Sequence, residues 1–152
     1  MMDNFKDYDL SRMFVDDSDY EVLFEDGIFR LTDNVSKSEF IFEVFDNSFQ
    51  IRQAVYFNCD QLSGDKISEI NKLCSRVNSR FSGCKNYIDE WNVLITVYES
   101  LHLINDIELI KIVLNQVEFV SEAMLAFMGN IENDEVLSDE QIDRVFLGPT
   151  LQ

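Results

Sequence analysis

The segment from about Asp106 to Met128 constrains the fold more than any other part of the sequence, because apolar residues cover most of its helical wheel. At about 100° per residue, one apolar arc contains Ile110, Val113, Leu114, Val117, Val120, Met124 and Met128. A second arc beside it contains Leu109, Ile112, Phe119, Ala123 and Phe127. Together they span roughly 220°, about twice the width of one buried stripe. One arc can cover a sheet, so the other must meet the first helix, the N-terminal segment or another subunit.

Three short-range signals predict β-hairpins. In 20–31, Asp26-Gly27 separates two apolar runs, and an Asp-Gly pair in that position is a strong hairpin signal. A second hairpin is predicted in 40–57, where apolar and polar residues alternate as in a strand with one solvated face. A third is predicted in 84–98. Hairpins of this kind build an antiparallel sheet.

Three capping signals predict where helices begin. Ser63 precedes a run with helical period, and Asn105 with Glu108 forms a capping pair before the long helix. Ser138 with Gln141 forms a capping box near the C-terminus. Strands followed by helices in this order predict an α+β fold, with an antiparallel sheet of about five to six strands and helices packed mainly on one face.

The chain of 152 residues is long enough for one domain with its own core. We predict a single domain over 1–129, which includes an N-terminal helical segment over 1–19. An acidic C-terminal appendage follows over 130–152. Ile142, Val145 and Phe146 dock this appendage on the domain, or else it is a mobile tail.

The formal net charge of -17 narrows the range of partners. Such a chain repels nucleic-acid phosphates and anionic membranes, so neither is an expected partner. The charge either keeps the protein in solution, or it matches the surface of a basic protein partner or imitates nucleic acid. No signal peptide or membrane span is recognised, and an odd number of cysteines (Cys59, Cys74 and Cys84) indicates reduced thiols and a cytoplasmic location.

No pattern in the sequence predicts an enzyme, a metal site or a cofactor. There is one histidine, His102, and no Cys-x-x-Cys pair, and the acidic runs near 16–19 and 132–135 do not fit a calcium loop. Cys84 with His102 is the one conceivable nucleophile and base. A small buried hydrophobe is the more ordinary role for Cys84.

One basic feature stands out on the acidic chain. Lys72, Arg76 and Arg80 follow one another at four-residue steps along the helix after Ser63. The row either pairs with neighbouring acids or forms half of a charge-complementary contact with a partner or second subunit. Together with Leu109, Ile112, Phe119 and Phe127 from the second arc, these residues are the candidate partner or dimer contacts.

The order of elements resembles that of the YbjN-like family, a group of proposed bacterial sensory transduction regulators with a type III secretion chaperone-like fold. The likeness rests on "LCSRVNSRFSGCKNYID", which holds the motif Val77-Asn78-Ser79-Arg80-Phe81, on "NVLITVYESL", and on "NDIELIKIVLNQVEFVSEAMLAFM". It covers about residues 20–129 and is best over 63–128. The resemblance implies a non-enzymatic, cytoplasmic and dimeric protein that binds extended segments of client proteins.

From the residues and the resemblance together we predict a non-enzymatic protein-binding module, chaperone-like or a regulatory adaptor, that forms a homodimer. The alternative is an acidic inhibitor or immunity-type protein that blocks a basic partner surface.

Overall fold

A computed structural model of the protein describes residues 8–58, 62–81 and 83–147. In chain order its elements are α1 (Leu10–Met13), β1 (Tyr20–Glu25), β2 (Ile28–Asp33), β3 (Glu39–Val44), β4 (Phe49–Asn58), α2 (Gly64–Arg80), β5 (Lys85–Ile88), β6 (Val93–Ser100), α3 (Ile107–Glu132) and α4 (Asp139–Leu147). The strands form one open antiparallel sheet in the order β1-β2-β3-β4-β6-β5. This confirms the predicted α+β fold and its number of strands.

The chain forms two compact units, and their boundaries fall within β4, β6 and α3. The first unit contains Met1–Gln53 with Val97–Glu118, and the second contains Ala54–Thr96 with Phe119–Gln152. Of the predicted N-terminal helical segment, residues 1–7 lie outside the described part of the chain, and so does Cys59. In the rest of that segment the helix is short, because α1 covers Leu10–Met13.

The Asp-Gly hairpin is confirmed in the first unit. β1 pairs with β2 so that Glu25 faces Ile28 across a two-residue loop. Asp26 and Gly27 have φ angles of 54° and 82°. Positive φ at both central residues gives the turn whose twist matches the twist of the paired strands, and it explains why glycine stands at the second position.

One face of these strands carries a row of aromatic rings. Phe24 faces Phe29 across β1 and β2 with ring centroids 4.8 Å apart, and Phe29 faces Phe42 on β3 at 6.5 Å. Phe42 then stacks on Phe49 of β4 at 4.6 Å. The ladder explains the many phenylalanines of this region, because each strand adds one ring to a continuous cross-strand row.

In the second unit the ends of α2 and α4 follow their capping signals. Ser63 accepts a hydrogen bond from the Lys66 N–H at 3.3 Å, as predicted for the start of α2. At the start of α4 the Ser138 N–H donates to Gln141 Oε1 at 2.8 Å, and the Gln141 N–H donates to Ser138 Oγ at 3.1 Å. Both bonds of the predicted capping box are therefore present.

The predicted cap of the long helix is wrong by one residue. The side chain of Asp106, and not that of Asn105, accepts the Glu108 N–H at 2.9 Å, so α3 begins at Ile107. Both residue types cap helices well, and local sequence does not separate them. The first apolar arc is confirmed as core, since all its members are buried: Ile110, Val113, Leu114 and Val117 in the first unit, and Val120, Met124 and Met128 in the second.

Candidate protein-interaction surfaces

The outer edge of β1 is the candidate surface of the first unit. β1 is an edge strand of the sheet, and among the described residues it pairs with β2 alone. In a two-residue hairpin the residues beside the loop exchange hydrogen bonds, and backbone direction then alternates along the strand. The N–H and C=O groups of Val22 and Phe24 therefore point away from β2. Unpaired edge groups of this kind are a template for a further strand.

An open cavity adjoins this edge at Phe24. The Phe24 side chain is 58% exposed, although it lies on the same face of β1 as the partly buried Tyr20 and Val22. The cavity has a volume of about 500 Å³ and is lined by Tyr8, Asp9, Ser11, Phe24, Gly27, Phe29 and Val44. Three aromatic rings and one carboxylate thus surround a space large enough for an apolar side chain.

Contacts within the protein fix the position of Tyr8, which forms one wall of the cavity. The Tyr8 hydroxyl donates to the Ile104 carbonyl at 2.6 Å, and the ring stacks on Phe42 at 5.9 Å between centroids. Burial raises the pKa of the Tyr8 hydroxyl above its ordinary value, so the group remains a donor at physiological pH. A preformed wall lowers the entropy that a ligand must lose on binding.

Two of the predicted contact residues are exposed on the part of α3 that belongs to the first unit. Leu109 is 49% exposed and Ile112 is 60% exposed. Between them in sequence, Lys111 forms an ion pair with Asp17. Its hydrogen bond lowers the pKa of the Asp17 carboxyl and raises the pKa of the Lys111 ammonium. Leu109 and Ile112 are thus solvent-accessible apolar side chains on a helix that the unit holds by its other face.

In the second unit, two residues of the basic row pair with α4. Arg76 donates to Asp139 Oδ1 from Nε at 3.1 Å and from Nη2 at 2.8 Å. Arg80 holds Asp143 with two parallel hydrogen bonds of 2.5 and 2.7 Å. Lys72 is exposed and lines a cleft of about 330 Å³ with acidic Glu69. The two arginines therefore pair with acids of the C-terminal appendage, 63 positions away along the chain.

Phe146 joins α4 to the aromatic residues of the same unit. Its ring stacks on Phe81 at 5.1 Å and meets Phe127 at 6.0 Å and Phe119 at 6.1 Å with tilted or edge-on geometry. Phe127 is only 5% exposed, whereas Phe119 keeps 48% of its surface exposed. In the second unit the structure therefore brings together Arg76, Arg80, Phe119 and Phe127 of the predicted contacts, around a helix of the same chain.

Asp139 and Asp143 were not among the predicted contact residues, whereas Phe146 was one of the three residues considered for docking the appendage. A usable signal exists in the sequence, since the two aspartates are four residues apart and match the four-residue step from Arg76 to Arg80. Such a match is weak evidence by itself, because acids are frequent in this chain. Of the three residues considered for docking the appendage, Ile142 is fully buried, Phe146 is partly buried and Val145 is exposed.

On β5, the terminal strand at the other end of the strand order, a side chain occupies the backbone groups of one residue. Asn78 on α2 accepts the Asn86 backbone N–H at 2.8 Å and donates to the Asn86 C=O at 2.9 Å. Thr96 on β6 donates to the Asn86 side chain at 2.8 Å. The amide of Asn78 thus satisfies the N–H and C=O of Asn86, which another strand would otherwise use. This gives a physical role to the asparagine of the Val77–Phe81 motif.

The residues considered for catalysis occupy ordinary positions within their units. Cys84 is buried in the second unit, and His102 is exposed in the first, where its backbone C=O accepts the Ser100 hydroxyl at 2.7 Å. Over 8–58, 62–81 and 83–147, no three His, Cys, Asp or Glu side chains form a group suited to a metal ion. In the same ranges no helix is long and apolar enough to cross a membrane.

The fold places the chain among α+β proteins with an open, six-stranded antiparallel sheet. The crystal structure of YbjN from E. coli, a proposed transcription regulator, is similar to it with a TM-score of 0.55. The match covers 85% of this chain and 94% of YbjN at 11% sequence identity, which shows a shared fold. No family model and no curated protein matches the sequence.

Proposed function

We propose that the protein is a non-enzymatic protein-binding module that acts as a regulatory adaptor. The observation that carries the proposal is the unpaired edge of β1 beside the aromatic cavity at Phe24. Exposed apolar side chains next to free backbone groups fit a ligand that is itself a polypeptide, since such a ligand supplies both a strand and side chains.

In the proposed mode of binding, an extended segment of the partner adds to the sheet alongside β1. Its backbone pairs with the N–H and C=O groups of Val22 and Phe24, and one apolar side chain enters the cavity over Phe29. Asp9 lines the same cavity, and Glu25 is exposed at the end of β1. The charge of this edge favours lysine or arginine beside the apolar residue of the partner.

The fold likeness to YbjN supports a regulatory role, since YbjN is described as a proposed transcription regulator. For this chain we propose regulation by contact with proteins and not with nucleic acid, because its net charge of -17 repels phosphates. We further propose that it works in the cytoplasm, without a cofactor, and as a homodimer with Leu109 and Ile112 at its interface.

A peptide-display experiment tests the binding site. A random peptide library is selected on the immobilised protein, and the affinity of enriched peptides is measured by fluorescence anisotropy. We expect alternating apolar residues flanked by lysine or arginine. Val22→Pro should weaken their binding by about tenfold or more, since proline removes the edge N–H without breaking the pairing of β1 with β2.

Val22→Thr is the matched control for this experiment. Threonine keeps the N–H group and the β-branched shape, so the peptides should bind this variant as they bind the wild type. Selection of no peptide, or equal binding to Val22→Pro and the wild type, would show that β1 is not the binding edge.

The acidic-inhibitor alternative is favoured by the outer residues of the same hairpin. Glu21, Glu25 and Asp26 are exposed there together with Leu23. A folded basic surface would match these charges, and its binding would depend on salt because exposed charges are screened over about 8 Å at physiological ionic strength. A captured partner that remains bound at about 1 M salt would count against this alternative.

A further inference from the structure

The surface under α4 differs from the rest of this acidic protein. It consists of Arg76, Arg80 and Phe81 from α2 and its end, and Phe119 and Phe127 from α3, all in the second unit. We call these five residues the receiving face. Two arginines beside three aromatic rings form a basic and apolar surface on a chain of net charge -17. Such a surface attracts ligands that the rest of the molecule repels.

The helix α4 covers the receiving face, and its side chains show which kind of ligand this face binds. Asp139, Asp143 and Phe146 lie at positions i, i+4 and i+7 of α4 and therefore on one side of the helix. The two aspartates meet the two arginines, and Phe146 lies among the three rings. Ile142 is fully buried between the two aspartates in sequence. The selected pattern is a short acidic helix with an aromatic residue near its C-terminal end.

The contacts of α4 are of a kind that a competing helix can replace. A helix of nine residues is not stable by itself in water, so its structure depends on docking. Its ion pairs with Arg76 and Arg80 involve partly exposed side chains, so solvent screens the attraction between their charges. Phe146 is only partly buried. Local opening of such an element requires less free energy than unfolding of the unit.

We propose that the receiving face is a binding site for an acidic amphipathic helix of a partner protein, and that α4 occupies it when the partner is absent. The partner helix carries carboxylates at i and i+4 and an aromatic residue at i+7, in the manner of Asp139, Asp143 and Phe146. This site is separate in chemistry from the edge of β1, which favours an extended and basic segment. The two proposals therefore fail independently.

A helical peptide tests the proposal on the full-length chain. The probe copies residues 138–147, SDEQIDRVFL, and is held helical by a covalent link between the exposed positions 140 and 144. In the wild type, α4 competes at the high effective concentration of a tethered ligand. Phe146→Ala in the chain weakens α4 and leaves the receiving face intact. We expect this variant to bind the fluorescent peptide about tenfold more tightly than the wild type does.

A charge exchange supplies the control. The same peptide with Asp139→Lys and Asp143→Lys should bind the Phe146→Ala chain about tenfold more weakly than the original peptide. With Arg76→Glu and Arg80→Glu added to that chain, the preference should reverse in favour of the lysine peptide. Equal binding of the two peptides, or no reversal, would overturn the proposal, because it would show that the arginines do not select the ligand.

Two further outcomes are decisive. If Phe146→Ala prevents folding, excess peptide added to the wild type should increase hydrogen exchange in α4, while the lysine peptide should not. Unchanged exchange with both peptides overturns the proposal. A wild-type dimer that dissociates on Phe146→Ala would assign the receiving face to α4 of a second copy, and this would also overturn it.

Discussion

Asn78 illustrates how one side chain shapes the edge of a sheet. Its amide oxygen accepts from both the backbone and the side chain of Asn86, at 2.8 and 3.2 Å, while its amide nitrogen donates to the Asn86 carbonyl. Asn86 is 2% exposed and Thr96 is fully buried. In such surroundings every polar group needs a partner, because water cannot supply one.

Replacing Asn78 by alanine should therefore reduce stability. The variant leaves the buried Asn86 N–H without its acceptor, and an unsatisfied group of this kind costs about 1–3 kcal/mol. Urea unfolding of Asn78→Ala measures the loss. Ser79→Ala is the control, since its exposed hydroxyl donates only to the Arg76 carbonyl one turn back. Equal midpoints for the wild type and Asn78→Ala would contradict this role.

At the scale of elements, the docking of α4 should depend on pH. The hydrogen bond with Arg80 lowers the pKa of the Asp143 carboxyl below its ordinary value of 3.8. Because the pKa is lowered in the folded state, the carboxylate stabilises that state fully when the pH lies above the ordinary pKa. This stabilisation is lost as the pH falls through the lowered pKa. Acid should thus release α4 before it unfolds the rest of the second unit.

Hydrogen exchange checks this pH dependence. Protection of the α4 amides in the wild type should be lower at about pH 3 than at about pH 6, after correction for intrinsic rates, and the loss should begin only as the pH falls towards 3.8. In Asp143→Asn, protection should already be low at the higher pH and change little. Glu140→Gln, which alters an exposed pair with Arg144, should behave as the wild type does. Equal protection of α4 at both pH values would contradict the assigned role of Asp143.

The elements also show which features the sequence predicts. The turn at Asp26-Gly27 and the capping box of Ser138 with Gln141 were predicted because their signals are local. The pairing of Arg76 with Asp139 joins residues 63 positions apart, so local pattern does not reveal it. The position of β1 at the edge of the sheet is likewise a result of long-range pairing. Capping by Asp106 was missed because Asn105 beside it is equally suitable.

At the scale of the whole molecule, the net charge of -17 opposes association of two copies. A homodimer therefore needs an apolar interface. Leu109 and Ile112 can supply it, because they are the predicted contact residues that are exposed in the first unit. We predict that Ile112→Glu weakens the dimer by about tenfold or more, because each copy buries a charge in the interface.

Light scattering with size-exclusion chromatography measures this effect at about 0.15 M salt, where the like charges of the two copies are screened. Ser75→Glu is the control, since it adds the same charge at an exposed polar position of α2. The control should remain dimeric. A monomeric wild type at micromolar concentration would refute the homodimer, without affecting the peptide site at β1.

The difference between β1 and β5 limits how this protein can polymerise. Growth of a filament by edge-to-edge pairing needs a second available edge on every added copy. Asn78 occupies the backbone groups of Asn86 in the four-residue strand β5, so a copy that joins through β1 offers the next copy a shorter edge than β1 does. The cap on Asn86 therefore opposes the growth of fibres from copies that pair through the open edge of β1.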